Sequence, residues 1–478
     1  MTSNTPPNTP PSTQASATPK KIPYANKGNL REGSVGGHLT RLTIPMIWGI
    51  LAIISFQLVD TYFISLLGKD SLAAISFTFP ITYMIFSFTM GFGIAMSSVA
   101  SRLIGAGETD TVKRVTGHGL ILGLLIGGVL AILGTIFHDS IFRAMGAEGE
   151  MLSMIREYMI LWFAGSIFIT VPLIGNAAIR AAGDTFTPAL IMGVVALVNV
   201  VLDPLLIFGL WGFPEMGMKG AALATLIANA AAMCASIYVL YAKKKLLCLH
   251  EIKKFNLFGN SVKRLMFIAL PAGLTNAIQP LVSAFILGML AVHGTEAVAA
   301  FGVVNRIESF AFIILMALSV GMSPVIGQNW GAERFDRVNE TLKLGIGFNF
   351  IWSAFIAVIL ALFAKPIIGL FTDDPEIIRV GVLFFWVVPA SYACGNLIMG
   401  WASAFNAMGM PQRSVMMIFV KMVVLLIPAS YIGNEMGGIL GIFIAMAAVN
   451  VVSGLTFHIL NARMCKAKQA ACLNSIEP

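Results

Sequence analysis

Charge is scarce in this 478-residue chain: Asp, Glu, Lys and Arg together make up 11%, against roughly 25% in soluble domains. Histidine is rare as well. His250-Glu251 has no second histidine at helical spacing, so no H-E-x-x-H metal site is present. The five cysteines (Cys234, Cys248, Cys394, Cys465 and Cys472) contain no C-x-x-C pair and none falls in a loop placed outside a membrane. They read as reduced thiols, with neither a disulfide framework nor a metal site. There is no Walker A loop, which excludes direct use of ATP, and no G-x-S-x-G elbow. An enzyme is therefore not expected, and no cofactor is implied. The net charge of +8 has to be explained by its distribution before any nucleic-acid partner is invoked.

Apolar residues fill the space that charge leaves. They amount to 57%, with a mean hydropathy of +0.84. Apolar runs of twenty or more residues recur, each long enough to cross a bilayer as a helix. Strands are excluded because the runs show no period-2 alternation. Twelve spans are expected, near 41–66, 76–103, 116–137, 153–181, 186–209 and 218–242, then 264–292, 301–329, 342–371, 377–406, 412–432 and 437–461. Residues 1–35 are rich in Pro, Thr, Ser and Asn, cannot bury enough apolar surface to order themselves, and lack the apolar region of a secretory signal.

The second half repeats the first at an offset of 226 residues. Pro45 matches Pro271, Gly68 matches Gly294, Met96-Ser97 match Met322-Ser323, and Gly183 matches Gly409. Six spans per half is an even number, so both halves start on the same side. The expected fold is an all-α integral membrane protein, with two six-helix lobes related by a pseudo-two-fold along the membrane normal. The lobes are placed at 36–243 and 264–465, with a linker at 244–263 and a polar tail at 466–478. Of the 31 basic residues, 23 gather on the side of both termini and the linker, which makes that side cytoplasmic. The location expected is a bacterial-type inner membrane. The basic excess is thus an orientation signal, and no nucleic-acid binding is expected.

Ionisable residues well inside spans are few: Asp60, Asp203, Arg306, Glu308 and Lys421. Each costs about 2.5–3.5 kcal/mol at mid-bilayer on insertion scales, so such groups face a cavity or a partner. Asn199 precedes Asp203 by four residues and shares its helical face. Neither Asp60 nor Asp203 has a basic residue at similar depth in its own lobe. Both are candidates to bind a proton, Na⁺ or an organic ammonium. In the second lobe, Lys421 is expected to pair with Glu308 as a structural contact; the alternative is a second ion or substrate site. Pro45 removes one hydrogen bond near the start of the first span and allows a bend.

The segments VDTYFISLLGKDSLAA and ILGMLAVHGTEAVAA, with RAAGDTFTPA and FNAMGMPQRSV, resemble the multidrug and toxic compound extrusion (MATE) transporters from about 40 to 462. Within that family the chain is similar to the DinF-like branch. The resemblance implies that Asp60, Asn199 and Asp203 are coupling residues, that Asn176 and Tyr158 line the same cavity, and that the first helix bends at Pro45. It implies an antiporter that exports amphipathic, often cationic compounds in exchange for H⁺ or Na⁺, working as a monomer in the lipid bilayer. Na⁺ at the Asp60/Asp203 site would be the one metal ion in play. A flippase for a lipid-linked precursor, from the same superfamily, is the alternative; it would call for several basic residues in the central cavity.

Overall fold

A computed structural model describes residues 29–474 of the protein, with side chains to residue 465. Most of the tail expected at 1–35 and the last residues lie outside that range. Every regular element in it is helical. Helices α1 (Val35–Ser65), α2 (Lys69–Gly105) and α3 (Thr109–Ala144) cross in turn. Helix α4 is bent by 42° between Gly149–Ala164 and Ser166–Ala181. Helices α5 (Phe186–Phe208) and α6 (Met218–Tyr238) complete the first lobe. The second lobe opens with α7 (Phe258–Ala291). Helix α8 follows as Thr295–Ala311 and Ile313–Gly331, interrupted only at Phe312. Then come α9 (Phe335–Leu362) and α10 (Pro375–Met408), the latter broken near Pro389–Ser391. The last apolar stretch, Pro411–Cys465, is kinked at Gly437 and Gly438 into α11 (411–436) and α12 (439–465). Counting each broken helix as a single crossing and dividing the last stretch at its kink gives twelve spans among the described residues. Pro45 does not break α1, which runs through it without a non-helical residue.

The repeat is visible in the backbone. The turn glycines Gly68 and Gly294 have φ of 116° and 117°, and Gly183 and Gly409 have φ of 78° and 79°. These left-handed conformations are ones that glycine alone adopts readily. The pseudo-two-fold passes between Ser97 and Ser323, repeat partners whose hydroxyls lie 3.4 Å apart.

Packing differs between the two ends of the molecule. At the end with the basic loops, each core borrows a helix from the other lobe. Phe92 to Ile104 of α2 pack with Leu265, Ile268 and Ala269 of α7. Leu39 and Leu42 of α1 pack with Leu318, Met322 and Ile326 of α8. At the far end the cores separate. One holds only first-lobe residues between Ile64 and Ala222, the other only second-lobe residues between Ile278 and Val449. Tyr83 and Met84 of α2 and Phe310 of α8 remain exposed there. The lobes are closed at the basic end and part toward the far end.

Closure is tight because small residues let backbones touch. A methyl added at Gly105 would lie 2.8 Å from the carbonyl carbon of Gln328 and 2.9 Å from its Cα. One at Gly331 would meet Arg102 at the same two distances. A strap ahead of α1 covers this junction. Leu30 is fully buried; its N–H donates to Gln328 Oε1 at 3.1 Å, and its carbonyl accepts from Asn329 Nδ2 and Arg337 Nη2, each at 3.1 Å. Arg31 donates back to the Gly105 carbonyl of the first lobe at 3.2 Å.

Candidate functional site

Helices α1 and α5 lie side by side; at Gly49 a methyl would stand 3.0 Å from Ala189 Cα. That contact aligns the two helices and sets Asp60 and Asp203 at matching depth. Asp60 lies five residues from the far end of α1 and Asp203 five from the far end of α5, about 8 Å of helix rise in each case. Ile64 of α1 and Ile207 of α5, each one turn beyond its acid, pack in one core with Tyr158 of α4. Asp203 and Asn199 are fully buried, and Tyr158 nearly so.

Asn199 and Asp203 share a face as their spacing requires. With the amide oriented to satisfy its neighbours, Asn199 nitrogen donates to Asp203 Oδ1 at 2.8 Å and Oδ2 at 3.2 Å. The Thr225 hydroxyl of α6 sits 3.3 Å from the other amide atom. Asp60 is left differently: its Oδ1 is buried with no hydrogen-bond partner. A buried acceptor without a donor is costly, so this oxygen is where a proton or cation would be held.

Asn176 is not brought to this cluster. It lies 18 residues past Tyr158 along α4, about 27 Å of helix rise, near Ser236 at the basic end, and its Oδ1 is buried without a partner. Thr225 belongs to the cluster and the sequence did not single it out. Its one signal is a hydroxyl in an otherwise Ala- and Leu-rich stretch, and nothing in the spacing ties α6 to α5.

The pair expected between Glu308 and Lys421 is not formed. Glu308 accepts a hydrogen bond from the Tyr392 hydroxyl. Lys421, in a π-helical turn of α11 (Val420–Leu426), donates to the Gly395 carbonyl at 3.2 Å. The reason is the break in α10: it turns Tyr392 toward α8 and frees the Gly395 carbonyl, so each charged group finds a neutral partner nearer than the other charge. Arg306, two residues before Glu308, points away from this network and stays exposed.

Comparison with known proteins comes out in one direction. Residues 45–205 and 271–432 each match the MatE family model, with starts 226 residues apart. A FAD transporter of Shewanella oneidensis is 35% identical over 453 residues, covering 94% of this chain and all of that one. The multidrug export protein MepA of Staphylococcus haemolyticus is 26% identical, covering 88% of this chain and 92% of its own length. Among solved structures, the Vibrio cholerae MATE transporter VcmN in its bent form superposes with a TM-score of 0.86 at 28% identity, covering 91% of this chain and 98% of that one.

Proposed function

The chain belongs to the MatE family of membrane transporters, and we propose that it drives export with protons taken up at the Asp60–Asp203 site. Its multidrug-export relatives place it among efflux transporters and not enzymes. The observation that carries the coupling proposal is the buried, partnerless Oδ1 of Asp60 beside a second carboxylate. When both acids are ionised they repel; a proton on Asp60 removes the repulsion and gives the buried oxygen a hydrogen bond to make. Substrate binding and protonation then compete in one lobe, and each biases the lobes toward a different packing.

In this reading the basic end faces the cytoplasm of a bacterial-type inner membrane, the parted end faces outward, and the protein works as a monomer. Pro45 lowers the cost of bending α1 when Asp60 changes charge. Asn176, near the basic end, would meet substrate only when that end opens.

The test is transport in proteoliposomes with separate pH and Na⁺ gradients. Asp60→Asn and Asp203→Asn should each abolish dye export while the protein still inserts. Export that persists without a proton gradient and follows Na⁺ would overturn the proton assignment; near-normal export by either variant would remove the site's coupling role. A second substrate reading, a flavin dinucleotide, is favoured by the full-length similarity to the FAD transporter.

A further inference from the structure

The two lobes carry unlike charge within the membrane. The first holds its acids buried inside the lobe, Asp203 fully so, and the second carries an exposed cation, Arg306. Arg306 lies eleven residues into α8 from its far end, about 17 Å of rise, which is well inside the membrane. It is exposed and takes part in no ion pair or hydrogen bond with the described residues. A cation at that depth faces a water-filled cavity or a partner.

Helical phase identifies which. The inward face of this half of α8 is Ala297, Ala300, Phe301 and Val304, packed in the core of the second lobe, with Phe301 edge-on to Phe384 of α10. Arg306 falls on the opposite side. Gln328 and Gly331 follow it by 22 and 25 residues, close to six and seven full turns. The helix keeps its phase across Phe312, since Phe312 N–H bonds to Glu308 O at 3.0 Å and Met316 N–H to Phe312 O at 2.9 Å. Gln328 and Gly331 are the residues that touch Gly105 and Arg102 of the other lobe. Arg306 therefore lies on the face that meets the first lobe, at the level where the lobes have parted. Phe310, one turn on, is exposed on the same wall; the repeat-related wall of α2 shows Tyr83 and Met84.

We propose that Arg306 is the anion-recognising residue of the cleft, and that the substrates include phosphate-bearing aromatic molecules of the nucleotide class. The guanidinium matches a phosphate with two parallel N–H donors. The flanking aromatic and Met side chains offer adaptable apolar surface to a planar ring. An exposed cation on one lobe and buried acids inside the other let the protein take an anionic substrate at the second lobe while the first handles the coupling ion. This inference rests on the exporter reading above and supplies its substrate class.

The experiment compares three probes in proteoliposomes under one imposed pH gradient: FAD, riboflavin (the same ring system without phosphates) and ethidium. Arg306→Gln should raise the KM for FAD at least about tenfold and leave riboflavin and ethidium close to wild type. Arg306→Lys should lie between, since it keeps the charge and loses the fork. Unchanged FAD transport in Arg306→Gln, or wild type that exports ethidium but never FAD, would overturn the inference while leaving the exporter intact. Equal loss of all three probes in both variants would make Arg306 structural and overturn it too. Wild type that moves none of the probes under any gradient would instead sink the exporter reading.

Discussion

The closed junction at the basic end can be wedged from either side. Gly105 and Gly331 are repeat partners, and each faces the backbone of the residue that corresponds to the other's neighbour. An alanine methyl at either site would stand 2.8–2.9 Å from two carbon atoms of the opposite lobe, where carbon contacts favour about 3.5–4.0 Å. The lobes must separate there by roughly 1 Å, and backbone cannot rotate out of the way as a side chain can. Overpacking of this kind costs about 1–3 kcal/mol. Because the strain exists only when this end is closed, the population of that form should fall by about 5- to 150-fold relative to forms in which it is open. Spin labels on the exposed loops at residues 108 and 333 would read this out as a longer and broader distance distribution across the junction. Gly105→Ala and Gly331→Ala should act alike, and the double variant should cost less than their sum, since the first methyl has already moved the second backbone away. Unchanged distances together with unchanged export in both single variants would show that this contact does not hold the end shut.

Glu308 and Tyr392 should behave as a unit and Lys421 should not: in detergent melts, Glu308→Gln with Tyr392→Phe is expected to depart from additivity by about 0.5–3 kcal/mol, and Glu308→Gln with Lys421→Met to add within about 0.5 kcal/mol. Stronger coupling to Lys421 than to Tyr392 would restore the ion pair. Asp184, in the turn after α4, offers a pH test. Burial would raise its carboxyl, but the Lys244 ammonium at 2.7 Å and the Thr187 N–H and hydroxyl outweigh it and hold the group below its usual value. The stabilisation is thus complete above the unfolded value, about 3.9, and is lost as pH falls through the lower folded one. Asp184→Asn should melt earlier at pH 7, by on the order of 1 kcal/mol given its partial exposure, with the gap to wild type closing in strong acid.

The sequence carried the twelve crossings, because each apolar run must satisfy its own backbone in lipid, and it carried the two lobes, because the repeat keeps one offset. It also carried the proximity of Asn199 to Asp203, which is a matter of one helical turn. Contacts between distant helices were out of reach. Thr225 reaches Asn199 only because α5 and α6 pack, and Glu308 finds Tyr392 only because α10 breaks at Pro389; no spacing encodes either. The expected Glu308–Lys421 pair failed for this reason: opposite charge at similar depth does not fix which neutral group lies nearer. Asn176 failed by depth, since the bent α4 is long enough to carry Tyr158 and Asn176 to opposite ends.

The strap at Leu30–Gly33 has a consequence for how the protein is made. It leaves the ribosome early, yet the groups that hold it, on Gln328, Asn329 and Arg337, are encoded roughly 300 residues later. At about 5–20 residues per second, the strap waits about 15–60 s for its partners, while α1 has only half of its eventual neighbours. The first lobe must therefore insert and persist with the buried faces of α1 and α2 uncovered, and docking of the strap can only come after α8 and α9 have arrived. Its seating would mark the joining of the two lobes, and a chain halted before residue 328 should leave Leu30 open to protease.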